Sequence, residues 1–426
     1  MGTIAATFHI ASDLKRPWYN PRCMTPHNAR ITLAIVALSC PAMAADAKYK
    51  IELQAISGLD QKQFVTGAAI AMDPEGDVTG FVQTGGGGRT GFLWPPKQPP
   101  RLLTAGSEPR AIDAKGRIYY YLNGKFFVHQ NRQDAQLNLT GLSDVRAAAG
   151  DGWFGFDSAT ASPTSLHPAH GRWDGSGPKD VAVLGVANTD KAGVTLAIDR
   201  AGRAAGVTSM YANTSWCGED PSNGPGRAAV WRRGDSTRPI VLLGKNGESW
   251  TPQVARAISS DGWVAGSTSP MEPANPTWLK GRDDSLQKPP QKGWCNYNLY
   301  TTHAFVSRRR WFGDYQSELL PPVNGDNTMT VLTPLGINSK HQIVGNRDGT
   351  DSDQLSGLSG VVALLWTRHD GTWKVERLDT LVDPPPNNCT KPLVLNTAYA
   401  INDRGQITGG ASCGAALFLY RLTPVH

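Results

Sequence analysis

Short apolar stretches alternate along the chain with turns of one recurring composition. In the clearest copy, residues 398–409, an apolar run precedes the turn 402–405 and a second strand begins at Gln406. Asn402 can accept hydrogen bonds from the amides of the turn, and Gly405 can adopt the positive φ that a tight reversal requires. This stretch therefore predicts a β-hairpin.

Six further stretches follow the same pattern, Ala-x-(Asn/Asp)-x-x-Gly-x-x-x-Gly, with substitutions. The seven copies begin at Ala71, Ala111, Ala147, Ala197, Ala257, Gly336 and Ala400. Tyr120 replaces the last glycine of the second copy, Gly155 comes one residue early in the third, and His341 replaces the turn glycine of the sixth. Internal similarity of this kind indicates a repeat architecture.

Each hairpin is followed in most copies by an apolar third strand and a short leucine- or valine-rich fourth strand. The third strands are residues 91–94, 125–128, 228–231, 303–306, 363–366 and 416–420. The fourth strands are residues 101–103, 137–139, 181–184, 240–243, 319–320 and 375–378. Four strands per repeat are the content of a propeller blade.

The last copy lacks its fourth strand, whereas residues 49–53 form an isolated strand that resembles residues 373–378, the outer strand of the sixth copy. We therefore expect the N-terminal strand to complete the last blade, which would leave the ring without exposed sheet edges. The predicted fold class is all-β, a seven-bladed β-propeller closed by the N-terminal strand. Because three copies are irregular, six or eight blades are the alternatives.

Composition agrees with this architecture. The chain has 46 glycines and 30 prolines among 426 residues, and no window has a sustained apolar period of 3.6. Both observations exclude a mainly helical protein. A closed repeat array of this length can form one domain.

Residues 24–44 have the organisation of a bacterial signal peptide. Arg30 supplies a positive charge, residues 31–42 are apolar, and residues 42–44 form a small-x-small cleavage site. The alternatives are a membrane anchor, although the apolar run is far shorter than the roughly 20 residues that a bilayer requires, and a lipoprotein attached at Cys40.

We therefore divide the chain into an upstream extension with a cleaved signal peptide, residues 1–44, and a single propeller domain, residues 45–426. We expect a periplasmic or extracellular location and no integral membrane segment after cleavage. Removing the leader deletes four basic residues and one acidic residue, so the formal charge falls from +6 by 3 to +3. A charge this small, with the basic run 308–310 as its single cluster, indicates that the chain does not bind nucleic acid.

The pattern of residues 400–409, together with the strand His303-Ala304-Phe305, resembles the HAF family of probable extracellular repeat proteins of bacteria. The resemblance covers roughly residues 65–420. It implies export and a β-propeller-like fold, and it transfers no catalytic residue.

Long segments follow the second strand in three of the predicted blades, at residues 209–227, 267–302 and 346–360. In a propeller these segments open on one face, and the Asn-x-x-Gly turns open on the other. Because loops on a rigid scaffold commonly carry the binding function, we expect the ligand on the face with the long segments.

Four cysteines remain after the leader, an even number that indicates disulfides in an exported chain and allows three connectivities. Cys217 and Cys295 lie in long segments of neighbouring blades, whereas Cys389 and Cys413 lie at the start of the last blade and in its own loop. We predict the pairs Cys217–Cys295 and Cys389–Cys413.

Three groups of residues are candidate ligand contacts. Aromatic residues that could stack on sugars or grip a peptide are Tyr211, Trp216, Trp278, Trp294, Tyr297 and Tyr300. Basic residues that share one position before the repeat alanine, and could form an anion site near the ring axis, are Arg110, Arg146 and Arg256. Acidic residues that could bind calcium through oxygen are Asp348, Asp351 and Asp353.

Each group also has a purely structural interpretation. The aromatic residues could pack their own loops, the arginines could form salt bridges, and the aspartates could lie in a solvated loop. The chain contains no Gly-x-Ser-x-Gly or His-Glu-x-x-His motif. His167 and His170 lie in a Pro- and Gly-rich segment that we predict to be a loop.

Two functions remain open. The first is an exported binding or scaffold protein, which we expect to be monomeric, that recognises a glycan or a protein partner. The second is an extracellular hydrolase or lyase acting on a polysaccharide with acids from several loops. Propellers support both kinds of function, so the fold does not choose between them. Apart from calcium, the sequence implies no cofactor.

Overall fold

A computed structural model describes the part of the chain that contains the repeats. The described residues are 49–61, 64–162, 165–186, 190, 192–209, 226–232, 235–242, 253–268, 303–310, 315–323, 330–349, 360–382 and 392–425. The chain divides into two units, Met1–Ala44 and Ala45–His426. The first unit lies outside the described residues, so the signal peptide and its cleavage site stay predictions.

The second unit consists of seven four-stranded antiparallel sheets. Its strands are β1 (Tyr49–Ala55), β2 (Phe64–Met72), β3 (Val78–Thr84), β4 (Arg89–Trp94), β5 (Arg101–Ala105), β6 (Glu108–Ile112), β7 (Ile118–Leu122), β8 (Lys125–Gln130), β9 (Gln133–Gln136), β10 (Leu142–Ala149), β11 (Trp153–Ser162), β12 (Ser165–Trp173), β13 (Pro178–Val183), β14 (Ala192–Ile198), β15 (Ala204–Ser209), β16 (Gly226–Arg232), β17 (Asp235–Val241), β18 (Gln253–Ile258), β19 (Val264–Thr268), β20 (His303–Arg309), β21 (Tyr315–Leu319), β22 (Thr330–Ile337), β23 (Ile343–Gly349), β24 (Gly360–His369), β25 (Thr372–Arg377), β26 (Val394–Ile401), β27 (Ile407–Cys413) and β28 (Ala416–Pro424). Two short 3-10 helices span Ile56–Gln61 and Leu378–Thr380.

The sheets follow one another around a ring. Blades 1 to 6 contain β2–β5, β6–β9, β10–β13, β14–β17, β18–β21 and β22–β25, and blade 7 contains β26–β28 together with β1. The first strand of each blade contacts the first strand of the next, and β26 of blade 7 contacts β2 of blade 1. The fold is a seven-bladed β-propeller, which confirms the predicted class and excludes the alternatives of six or eight blades.

The N-terminal strand closes the ring as predicted. Strand β1 pairs antiparallel with β28, and Ile51 lies opposite Leu422. The amide of Tyr49 also donates a 2.8 Å hydrogen bond to the carbonyl of Leu381 at the end of blade 6. The outer strand of the last blade therefore comes from the opposite end of the folded chain.

A buried arginine reinforces this closure. Arg421 on β28 is fully buried, and its Nη1 donates 2.8 Å and 3.3 Å hydrogen bonds to the carbonyls of Gly76 and Trp94 in blade 1. Its Nη2 lies 2.8 Å from the carboxylate of Glu52 on β1. Leu93 of blade 1 and Leu365 of blade 6 occupy the equivalent register. The charged residue thus stands at the seam, where three segments distant in sequence meet.

The apolar core forms clusters between neighbouring blades. One cluster joins Tyr119 of blade 2 to Phe154 of blade 3, with the ring centroids 5.6 Å apart. Another joins Phe92 of blade 1 to Leu419 of blade 7. Because each blade buries its faces against two neighbours, no blade has a complete core of its own.

Two local predictions were wrong. The fourth strand of blade 2 is β9, and residues 137–139 follow it, because Asn131 and Arg132 adopt positive φ values of 51° and 64° and reverse the chain directly after β8. His167 and His170, which we predicted to lie in a loop, lie in strand β12. The prolines and glycines of this segment are accommodated within the paired strand.

Candidate functional site

The propeller has two faces. We call the end that carries the turns between the first and second strands the turn face, and the opposite end, where the second strand joins the third, the long-loop face. Antiparallel pairing places every turn of the first kind at one end of its blade. The two faces are built by different parts of the repeat.

On the turn face, the repeat Asp or Asn organises its own turn. Oδ1 of Asp73 accepts hydrogen bonds of 2.8–2.9 Å from the amides of Glu75, Gly76 and Asp77. The equivalent acceptors in other blades are Asp113, Asp199, Ser259, Asn338 and Asn402. The bonds confirm the role predicted for Asn402, and they give the equivalent residues of the other blades the same structural role.

The turns also interlock around the ring. The side chain four residues after the repeat Asp or Asn position, which Ala149 occupies in blade 3, lies over the turn glycine of the next blade, where that glycine has positive φ. Such pairs are Arg117 with Gly152, Trp153 with Gly202, Arg203 with Gly262, Gln342 with Gly405 and Gln406 with Gly76. The turn glycine is thus required both for its backbone conformation and for the space that the preceding blade occupies.

His341 replaces this glycine in blade 6. It adopts a φ of 59°, and its ring stacks on Trp263 of blade 5 with centroids 3.9 Å apart. Its Nε2 lies 2.7 Å from Oδ2 of Asp261. Burial would raise the pKa of Asp261, but hydrogen bonds from His341 and Ser259 outweigh it and hold the pKa below its usual value.

Blade 1 combines two acids where blades 2, 4, 6 and 7 have complementary partners. Asp113 pairs with Arg117 at 2.6 Å, and Asn402 pairs with Gln406 at 2.8 Å, whereas Asp73 has Asp77 four residues later. Burial raises the pKa of Asp73 to about 6, and the Asp77 carboxylate adds to the rise. Only the hydrogen bonds from the turn amides oppose it.

A bulge recurs near the middle of every inner strand. In each first strand a residue near the middle is skipped in the pairing with the second strand. The skipped residues, all half-buried, are Ile70, Arg110, Arg146, Leu196, Arg256, Leu335 and Tyr399. These residues therefore lie on the seven inner strands that surround the ring axis.

The bulge also explains the last glycine of the repeat. It brings the carbonyl oxygen of Ala68 onto the position that a Cβ of Gly80 would occupy, and that of Thr397 onto the same position at Gly409. In blade 3, Phe156 occupies this register and Gly155 lies one position before it. The early glycine is therefore not the equivalent residue.

Two of the three predicted arginines form an ion-pair network. Arg110 lies 3.4 Å from Asp144 and 3.6 Å from Glu108, and Arg146 lies 2.8 Å from the fully buried Asp157 and 3.3 Å from Asp144. Acidic and basic groups therefore alternate along the inner strands of blades 2 and 3. Arg256 lies at the same bulge in blade 5, so the three arginines share one ring around the axis without contacting one common point.

The other predicted contacts belong to segments whose flanking strand ends lie on the long-loop face. Residues 210–225, 269–302 and 350–359 connect strand ends on this face in blades 4, 5 and 6. The aromatic candidates Tyr211, Trp216, Trp278, Trp294, Tyr297 and Tyr300 all lie outside the described residues, as do Asp351, Asp353 and the side chain of Asp348. Among the described residues, no group of three or more His, Cys, Asp or Glu side chains is placed to hold a metal ion.

Cys413 is buried and disulfide-bonded. Its partner lies outside the described residues, which contain no other cysteine. The pairing Cys389–Cys413 and the pairing Cys217–Cys295 therefore stay predictions.

The long-loop face of blade 4 carries a polar group that the sequence did not reveal. Asp190 precedes β14, Thr208 lies near the end of β15, and Arg227 lies opposite it on β16. The Thr208 hydroxyl donates a hydrogen bond to Oδ2 of Asp190, and Nη2 of Arg227 lies 3.8 Å from Oδ1. Burial raises the pKa of Asp190, while Thr208 and Arg227 oppose the rise. Asp190 lies outside the repeat pattern, so no signal in the sequence pointed to it.

Comparison with known proteins adds little beyond the fold. No family model matches the chain, and no curated protein matches it. Solved structures with similar folds include hydrazine synthase of Kuenenia stuttgartiensis, at 10% identity, covering 84% of this chain and 96% of that chain, with a TM-score of 0.47. The Dos1 propeller is 10% identical, covering 88% and 81%, with a TM-score of 0.41. An Aleuria aurantia lectin variant in complex with α-methyl-L-fucoside is 12% identical, covering 77% and 94%, with a TM-score of 0.34.

At such low identities these similarities concern the propeller fold alone. The resemblance to the HAF family stays a prediction. Within the described part of the chain, no helix is both long enough and apolar enough to cross a bilayer.

Proposed function

We propose that the protein is an exported β-propeller that binds a glycan or a protein partner on its long-loop face. The observation that carries this proposal is the asymmetry of the two faces. The seven turns between the first and second strands contain only three to five residues, whereas three neighbouring blades have long connecting segments on the other face. Long insertions on one side of a rigid scaffold are typical of binding surfaces.

The chemistry of the two faces supports the same assignment. On the turn face polar side chains link neighbouring blades: Nη1 of Arg117 donates to the carbonyl of Trp173 in blade 3, and Nδ2 of Asn338 donates to the carbonyl of Asn402 in blade 7. The long segments contain the aromatic residues that the sequence singled out, and such residues provide contact area at low entropic cost. The polar residues at the strand ends of the same face, such as Thr208 and Gln253, can supply hydrogen bonds.

The proposal is tested with the chain 45–426 on an array of immobilised oligosaccharides, with released reducing ends measured in parallel. Binding without release of products supports a binding protein. Release of products that stops on substitution of loop aspartates would overturn the proposal in favour of a hydrolase or lyase.

A variant on each face serves as a control. Trp278→Ala combined with Trp294→Ala should abolish binding, whereas Arg404→Ala on the turn face should leave it unchanged. Arg404 is 55% exposed and pairs with Glu75 at 2.6 Å, so its removal leaves no buried group without a partner. Loss of binding in the Arg404 variant alone would contradict the assignment of the face.

A further inference from the structure

One ion pair of the turn face joins two blades that are not neighbours. Nη2 of Arg200 in blade 4 lies 3.0 Å from Oδ2 of Asp403 in blade 7. In a ring of seven blades, blades 4 and 7 are three steps apart, which is the largest separation that such a ring allows. The pair therefore spans the interior of the ring instead of following its circumference.

Both members occupy one position of the repeat, directly after the repeat Asp or Asn. The seven residues at this position are Pro74, Ala114, Gly150, Arg200, Ser260, Ser339 and Asp403. Two of the seven are charged, their charges are opposite, and these two form the pair. At the next position of the turn, by contrast, the ion pairs join neighbouring blades, as Lys115 and Asp151 of blades 2 and 3 show. The position in the turn thus distinguishes contacts across the ring from contacts around it.

Two further residues of the same position hold the pair in place. The amide of Ser339 in blade 6 donates a 2.9 Å hydrogen bond to Oδ1 of Asp403, so both carboxylate oxygens are engaged. In blade 3, a Cβ on Gly150 would lie 2.8 Å from Cα of Arg200, so a larger residue there would displace the turn of blade 4. The turns of blades 3, 4, 6 and 7 therefore converge inside the turn-face end of the ring.

Contacts between neighbours and a contact across the ring restrict different motions. Each contact between neighbours fixes one junction, and small changes at several junctions can still widen or flatten the ring. A link between distant blades restricts the width of the ring directly. An exposed ion pair commonly contributes little, because two flexible side chains must be held in one geometry. Here the hydrogen bond from Ser339 and the close contact with Gly150 restrict both partners independently of the pair, which lowers that cost.

We propose that Arg200 and Asp403 form a salt-sensitive strap across the turn-face opening of the ring. With the strap closed the opening keeps one width, and when either charge is lost or screened, blades 4 and 7 move apart. The side chains of Arg200 and Asp403 are 50% and 31% exposed, so dissolved ions reach the pair. Salt at about 1 M reduces the range of such an attraction to about 3 Å. This inference goes beyond the proposed function, because it concerns the opposite face and needs no ligand.

The test measures the distance between blades 4 and 7 in the chain 45–426 by electron–electron double resonance. Spin labels are attached at Ala201→Cys and Arg404→Cys, because Ala201 and Arg404 are exposed and each directly follows one member of the strap. The chain without these two cysteines gives the background. Arg200→Met keeps the aliphatic part of the side chain against Gly150 and removes the charge. It should shift the distance distribution to longer values and broaden it.

The matched control is Lys115→Met, which removes an exposed ion pair between neighbouring blades and should leave the distribution unchanged. Asp403→Asn should act in the same direction as Arg200→Met, since its side-chain oxygen still accepts from Ser339. The two substitutions together should change the distribution no further than Arg200→Met alone. Salt at about 1 M should shift the distribution of the wild-type chain and leave that of Arg200→Met where it is.

Three results would overturn the strap. The first is an unchanged distribution in Arg200→Met. The second is an equal shift in Lys115→Met, which would show that any lost surface pair loosens the ring. The third is additive shifts in the double variant, which would show that Arg200 and Asp403 act independently.

Discussion

The acid pair Asp73 and Asp77 in blade 1 destabilises the folded protein, and we predict that residues found at the same positions in other blades would stabilise it. Asp73 and Asp77 stand where blade 6 has Asn338 and Gln342 and blade 7 has Asn402 and Gln406. In both of those blades the amide of Asn donates to Oε1 of Gln, at 2.9 Å and 2.8 Å. Replacing Asp73 by Asn and Asp77 by Gln should reproduce that pair.

The size of the effect follows from the pKa of Asp73. Burial raises it from 3.8 to about 6, which corresponds to about 3 kcal/mol at roughly 1.4 kcal/mol per pH unit. The folded protein therefore binds a proton more tightly at Asp73 than the unfolded chain does. The destabilisation is absent below pH 3.8, grows as the pH rises, and is complete above about pH 6.

The double variant should accordingly unfold with a free energy about 2 to 3 kcal/mol higher than the wild type at pH 8, and about equal to it at pH 4. Urea denaturation at the two pH values, followed by tryptophan fluorescence, measures the difference. The amides of Glu75 and Gly76 keep their acceptor, because the Asn side-chain oxygen replaces Oδ1 of Asp73.

A suitable control is Asp174→Asn. Asp174 accepts hydrogen bonds within its own turn, as Asp73 does, but it is exposed, and these bonds lower its pKa. It should bring no gain at pH 8. A gain from the double variant that is the same at pH 4 and pH 8, or a loss at pH 8, would refute the reasoning from the buried acid pair.

Three further predictions concern the ring. Arg421→Leu introduces the residue found at the same register in blades 1 and 6, yet it should destabilise the protein by about 3 kcal/mol in urea denaturation, because buried carbonyls lose their donor. Arg404→Leu removes an exposed ion pair and should cost less than about 1 kcal/mol; equal effects of the two variants would contradict the role of Arg421 in closing the ring. His341→Gly should change stability by less than about 1 kcal/mol, since relief of the left-handed conformation offsets the lost stacking on Trp263. Gly202→Ala should lower the free energy of unfolding by more than about 2 kcal/mol, because the φ of Gly202 is +80° and a Cβ would lie 2.8 Å from the Trp153 ring. A neutral result would contradict the close packing of Trp153 against the turn of the next blade.

The fold was largely predictable because each repeat carries its own turn chemistry. The Asn402 turn and the unpaired strand at residues 49–53 were sufficient to indicate blades and their closure, and the structure confirms both. The fourth strand of blade 2 was misplaced because Leu137 and Leu139 appear more strand-like than the polar residues of β9. The positive φ of Asn131 reverses the chain directly after β8, so the polar residues that follow pair with β8 although they are less hydrophobic than Leu137 and Leu139.

The candidate site was harder to predict, because its members do not share the repeat. The sequence showed that Arg110 and Arg146 recur at one position, but their partners Asp144 and Asp157 come from the pairing of strands in space. Asp190 lies outside every copy of the pattern. A periodic signal identifies what the blades have in common, whereas a binding site depends on what one or two blades do differently.

The most direct test of the long-loop face as the binding surface is hydrogen–deuterium exchange of the chain 45–426 with and without the oligosaccharide that binds most tightly in the array. Protection should appear in peptides that cover residues 204–232 and 253–310, which contain the ends of blades 4 and 5 and their long segments. The turns at residues 73–77 and 402–406 should exchange at the same rate in both samples. Protection confined to the turns, with the segments of blades 4 and 5 unchanged, would contradict the account.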